Sequence, residues 1–242
     1  MAKQTRSYYG WRWSLVLLGG LSWLSLGCSP QSLSMFLMPF ADNKVDPEFK
    51  LFASNDKEIT LVVMANFKDS QYSQDLRDAD AELAKCVAQA FRKRCEANKH
   101  KLKLIPQAQV RALQLGQLAK KFEQSEEGDS GPVEIGRKLK ADYVLQLDIE
   151  ALRIYEPRSR PKMFHAGTQI NVNLYKMKTK NADDDNLLHQ TQYQSSYPKE
   201  GPISAENGSE AQFRRTFFEK AAQEISRMFI AYPPEEKRQH DD

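Results

Sequence analysis

Two acidic side chains form the pair best placed to move protons. Asp148 and Glu150 stand two apart in an alternating stretch, so both project from one side of an extended strand. Carboxylates so placed can divide general-acid and general-base roles, or flank a glycosidic bond. They belong to a wider polar row. Gln146, Gln169, Asn171, Asn173, Gln190, Gln192 and Gln194 occupy the same phase of their own alternating runs, and each amide offers donors and an acceptor. Three readings follow. Asp148 and Glu150, with His189 as an auxiliary, act on a glycan; or Gln146, Asp148, Glu150, Asn171, Asn173, Gln190 and Gln192 form a hydrogen-bonding face for a glycan or protein; or the face is simply solvated.

Other chemistries lack their residues. No glycine-rich phosphate loop, HExxH, CxxC or GxSxG occurs. His100, His165, His189 and His240 are far apart in sequence, and although His165 and His189 fall on neighbouring strand candidates, neither reads as a ligand. No metal and no cofactor is expected. Cys86 and Cys95 lie nine positions apart in one predicted helix, on opposite sides and about 13 Å apart along its axis. They cannot bridge there and read as small semi-buried side chains. A basic patch of Lys85, Arg92, Lys93, Lys99, Lys101 and Lys103, with Arg94 beside them, is opposed locally by Glu96 alone. It suits anionic headgroups, an acidic protein or an ordinary solvated helix surface.

These residues must be positioned by a strand-rich body. Residues 59–65 form a nearly continuous apolar run, as in a strand covered on both faces. A helix from Asp75 to Asn98 carries Leu76, Ala79, Leu83, Cys86, Val87 and Ala90 on one side. A short strand at 102–105, a helix from Gln107 to Leu115, a polar loop and a short helix opening near Pro132 come next. Three strands are then expected at 143–151, 168–178 and 187–197, with a bulge or exit where the apolar phase switches to Leu152 and Ile154. Residues 181–185 make a solvated turn, and Asn207-Gly208-Ser209 reads as a turn rather than a glycosylated sequon. The last helix has Ser209 as its cap, Gln212 completing a capping box, and a stripe of Phe213, Phe217, Ala221, Ile225, Met228 and Tyr232 before Pro233. The order implies a single α/β domain with one mixed sheet of about five strands, early parallel and later an antiparallel meander.

The front of the chain reads differently. Lys3, Arg6 and Arg12 precede an uncharged, mostly apolar stretch from Trp13 to Gly27 that ends at Cys28, the layout of an export signal. Leu24-Ser25-Leu26-Gly27-Cys28 resembles the lipobox of bacterial lipoproteins. That resemblance implies cleavage between Gly27 and Cys28 and acylation of Cys28, including palmitate, which anchors without a spanning helix. Ser25 stands where the family most often has leucine. Ser29 is not the aspartate that retains such proteins at the inner membrane, so the resemblance implies the outer membrane and a periplasm-facing body. The expected organisation is a signal peptide at 1–27, a lipidated tether at 28–57 interrupted by an apolar patch at Met35–Phe40, a domain at 58–232 and a charged tail at 233–242.

The domain also resembles a group of bacterial envelope modules: the curli-export lipoprotein, the lipoprotein activators of penicillin-binding proteins, and the amino-terminal domain of TolB. Residues 135–145, Ile-Gly-Arg-Lys-Leu-Lys-Ala-Asp-Tyr-Val-Leu, carry the likeness, whose motif other α/β proteins share. The resemblance implies a non-catalytic binding or adapter module in envelope assembly, with an envelope protein or cell-wall partner. The alternatives are a glycan-acting enzyme and an oligomeric export subunit. No stretch clearly supplies the lipid-facing hairpins of the curli-export member.

Composition agrees with a globular body. Apolar residues are 40% and charged residues 28% of 242, which excludes a disordered chain or a multi-span membrane protein. After residue 27, the 32 basic side chains equal the 32 acidic ones. No nucleic-acid partner is expected.

Overall fold

The apolar run at 59–65 is the strand that the first half of the sheet is built around. The computed structural model of the protein describes residues 44–52, 57–68, 76, 78–123, 131–177 and 186–234. The signal segment, Cys28, the Met35–Phe40 patch, the 181–185 turn and the residues after Pro234 lie outside the described residues. Strand β1 (Ile59–Phe67) is followed by α1 (Ala79–Ala97), β2 (Leu102–Leu104), α2 (Gln107–Glu123), α3 (Gly131–Lys138), β3 (Tyr143–Tyr155), β4 (Met163–Lys176), β5 (Leu187–Tyr197), β6 (Ile203–Ser204), a 3-10 turn (Ala205–Asn207) and α4 (Glu210–Arg227).

The sheet order is β2-β1-β3-β4-β5, with β6 on the start of β4. β1 runs parallel to β2 and β3, and β3, β4 and β5 form an antiparallel meander. The mixed α/β architecture is the one the element order implies, with a two-residue sixth strand added. β3 and β4 slip register between Ile149 and Ala151, where the apolar phase of the sequence changes. β4 starts earlier than expected, at Met163, because Phe164 and Ala166 are also buried and extend the alternation.

Two layers of helix cover the sheet unequally. On one face α1 and α4 pack over Leu61, Val63, Leu145, Leu147, Ile149, Ile170, Val172 and Leu174, contributing Leu83, Val87, Phe91, Phe217, Ala221 and Ile225. Cys86 and Cys95 are buried there and unbridged. Burial pushes their thiols up to about 11 and about 12, so both stay protonated and unreactive at neutral pH. On the other face a smaller cluster joins Val62, Met64 and Val144 to Val110 of α2 and Ile135 of α3. A continuous apolar β1 follows, since both of its faces are covered.

Asp142, in the stretch that carries the module likeness, has a structural task. Its carboxylate accepts from the Thr60 amide at 2.9 Å, its own amide donates to the Thr60 carbonyl, and its carbonyl accepts from the Met177 amide. One residue thereby fixes the starts of β1 and β3 beside the end of β4.

Two expectations for the last helix need correction. Ser209 occupies the cap position, but its side chain makes no capping bond, so the box with Gln212 does not form. The helix stops at Arg227 rather than running on to Tyr232. Beyond it the backbone is claimed by residues 45–51: Val45 and Tyr232 exchange two backbone bonds, Phe49 donates to the Met228 carbonyl and Leu51 to that of Phe229. Those carbonyls lie just past the helix end, where backbone acceptors otherwise lack partners. Among the described residues no helix is long and apolar enough to cross a membrane.

Gly136 marks the tightest helix–sheet approach. A Cβ there would stand 2.3 Å from Met177 Sδ and 2.5 Å from Val144 Cγ2. Met177 can swing aside, but Val144 is β-branched and fully buried. Gly136→Ala should therefore lower stability by about 1–3 kcal/mol, the usual cost of overpacking, read as a lower urea midpoint.

Candidate functional site

Beyond the reach of α2 and α3, the second face of the sheet turns polar. The pleat that buries Leu145, Leu147 and Ile149 under α1 and α4 presents Gln146, Asp148 and Glu150 on the opposite side. Register then builds cross-strand rows. Met64, Gln146, Asn173 and Gln190 stand side by side on β1, β3, β4 and β5, and Asn66, Asp148, Asn171 and Gln192 form the next row. Gln169 and Gln194 pair one step further, where the bulge gives β3 its extra residue.

Each carboxylate is held by amides. Asp148 accepts from Gln146 Nε2 at 2.6 Å and from Asn173 Nδ2 at 3.0 Å. Glu150 accepts from Gln169 Nε2 at 2.7 Å, Asn171 Nδ2 at 2.8 Å and Lys68 Nζ at 3.1 Å. At the β1 end, Gln114 of α2 donates to Asn66 Oδ1 at 2.7 Å. The inner part of the row is sheltered, with Asn173 only 6% exposed, whereas Gln190, Gln192 and Gln194 are open to solvent.

The two acids respond in opposite senses. Burial raises the Asp148 pKa above its ordinary value despite its two amide donors. The hydrogen bond from Lys68, with those from Asn171 and Gln169, lowers that of Glu150. Opposed shifts are what an acid–base pair requires. Yet the oxygens already accept bonds from side chains on two strands, β3 and β4, and from Lys68 just past β1, and the third member of the supposed catalytic set is elsewhere. His189 is on the other face, stacked on Phe49 with ring centroids 5.2 Å apart and edge-on to Phe229 at 5.8 Å. His165 lies far along β4 and meets Glu156 at 2.5 Å, not His189. Among the described residues no group of three or more His, Cys, Asp or Glu could hold a metal.

Every residue of the expected binding face lies on this one surface. Lys68, Asn66 and Gln114 complete it and are missing from the sequence-based set. Gln114 had a local signal: Gln107, Val110 and Gln114 fall at helical spacing on one side of α2. Lys68 and Asn66 meet β3 only through register between segments 82 residues apart. Lys85, Arg92, Lys93, Lys99, Lys101 and Lys103 are all exposed, on α1, the turn after it and β2. Arg94 is used structurally, donating to Ser226 Oγ at 3.0 Å. Cys28 and Gly27 lie outside the described residues.

No protein-family model and no curated protein matches the sequence. Solved structures offer distant likenesses. The hypothetical protein CT253 from Chlamydia trachomatis is 11% identical, with a TM-score of 0.40 over 70% of this chain and 96% of that one. The lipoprotein GNA1162 from Neisseria meningitidis is 9% identical, with a TM-score of 0.36 over 69% of this chain and 98% of that one. The LpoB C-terminal domain from Salmonella enterica is 16% identical, with a TM-score of 0.29 over 67% of this chain and 90% of that one. Likenesses this remote assign neither a family nor an activity.

The network makes a contrast that two variants can measure. In Asp148→Ala the donors of Gln146 and Asn173 lose their acceptor, which should cost about 1–3 kcal/mol. In Asp148→Asn the Gln146 amide can turn to accept, and no charge is buried, so stability at pH 7 should match or exceed the parent. A raised carboxyl pKa means the parent's penalty is absent below the ordinary value of 3.8 and develops as pH rises. The advantage of Asp148→Asn should therefore vanish below about pH 4 in urea melts.

Proposed function

We propose that this chain is a bacterial envelope lipoprotein whose domain is a non-catalytic binding or adapter module. In this reading residues 1–27 are removed, Cys28 carries the lipid, and the body at 58–232 faces the periplasm, with the outer membrane favoured over the inner by Ser29. The lipobox-like Leu24–Cys28 stretch supports the anchor. The tether's far end, residues 45–52, is fastened to the body, leaving 29–44 as connector, about 55 Å when fully extended.

One observation carries the binding role: Asp148 and Glu150 are locked by amides within a sheet face instead of converging on a hollow with a third catalytic group. A face whose polar groups are already oriented loses little entropy when a partner docks. Gln190 and Gln192 lie on its exposed part, where a glycan or polar protein surface can exchange hydrogen bonds with them. The opposed pKa shifts favour the glycan-acting alternative. That alternative requires Asp148→Asn to abolish function, whereas a binding face keeps it.

Two measurements test the reading. Cys28→Ala should leave a full-length precursor that takes up no labelled palmitate in cells, and normal labelling of that variant defeats the anchor. A photo-crosslinking residue at Gln190 should capture a discrete envelope partner in intact cells while one at exposed Lys85 does not. Equal capture at both sites defeats the face.

A further inference from the structure

β5 closes the sheet with an edge that nothing in its composition protects. Among the described residues it is the terminal strand, eleven residues long. Edges are ordinarily blunted by shortness, charge, proline or cover. The opposite edge shows these devices. β2 has three residues, Lys101 and Lys103 are exposed along it, and Pro106 follows. Where β1 outruns β2, Gln107 and Gln114 of α2 donate to the Val63 and Ala65 carbonyls at 3.0 and 3.3 Å.

Leu187–Tyr197 contains no Lys, Arg, Asp, Glu or Pro, and its one irregularity is confined to its start, beside Leu188. Gln190, Gln192, Gln194 and Ser196 along it are exposed.

We infer that β5 pairs with β5 of a second copy, antiparallel about a two-fold axis perpendicular to the sheet through Gln192. An isologous contact sets residues against their own kind near the axis, so a charge there repels itself, whereas an amide is donor and acceptor at once. Centring on Gln192 places Gln192 opposite Gln192 and Gln190 opposite Gln194, which aligns the whole amide block with itself. The axis keeps each face on its own side. The polar faces of the two copies then continue into one another, as do the α1/α4 layers. The inference goes beyond the binding role and stands without it.

Position-specific cross-linking of the full-length chain in detergent tests the pairing. Directly opposed residues of an antiparallel pair have Cα separations within disulfide range, and the native Cys86 and Cys95 are buried. Mild oxidation should convert Gln192→Cys to a covalent dimer above the background of the unsubstituted chain. Gln190→Cys alone should give none, whereas Gln190→Cys mixed with Gln194→Cys should. Gln192→Lys and Gln192→Glu should each be monomeric by native mass and dimerise when mixed, which also shows that both variants fold. A monomeric parent chain overturns the proposal, as does a dimer that yields neither cross-link.

Discussion

The second face of the sheet is governed by a mismatch in length. β3 has thirteen residues and α3 only eight, roughly 43 Å of strand against 12 Å of helix. α2 and α3 seal the rows at Val62, Met64 and Val144, and among the described residues the apolar cover ends there. The uncovered part cannot be apolar without exposing a large greasy patch. Nor can it carry bare acids beside a packed layer without a desolvation cost. A carboxylate–amide lattice meets both conditions, because every acid is paired by neighbours whose positions the strand register already sets.

The same gradient of cover explains why two acids on one strand behave differently. Asp148 stands in the row with Asn66 and Asn171, and one of its donors, Asn173, is nearly inaccessible. Desolvation outweighs its amide bonds. Glu150 is at the bulge, nearer water, and receives a lysine as well as two amides. Its charged form is favoured. The divergence follows from depth and from the placement of one cation, Lys68, and needs no catalytic purpose.

Much of this was legible along the chain, where the relevant physics is local. Strand alternation placed Gln146, Asp148, Glu150, Asn171, Asn173, Gln190 and Gln192 in one phase, and the change of phase near Leu152 marked the slip in register. His189 shares its phase with Thr191 and Tyr193 rather than with the glutamines, so its expected place beside Asp148 and Glu150 ran against the strand's own alternation. What escaped depended on distant pairing. Nothing near Lys68 announces Glu150, and nothing in the helical stripe through Tyr232 announces that Val45 takes up that backbone. The cap failed for a related reason: Ser209 has the right type and place, but a side-chain bond requires a geometry that spacing does not specify.

The attachment of residues 45–52 gives the body a polarity. Phe49 stacks on His189 and packs with Phe229, and Phe52 stacks on His100 with centroids 4.3 Å apart. Leu51 is buried in the α1/α4 layer. These contacts, together with the backbone bonds to residues 228–232, fasten the incoming chain to the helical side of the sheet. The amide lattice occupies the other side. Residues 45–52 themselves lie over one layer and leave the opposite face clear. Had the strap run across Gln190 and Gln192 instead, its unpaired backbone groups would have competed for the amides that now stand open to solvent.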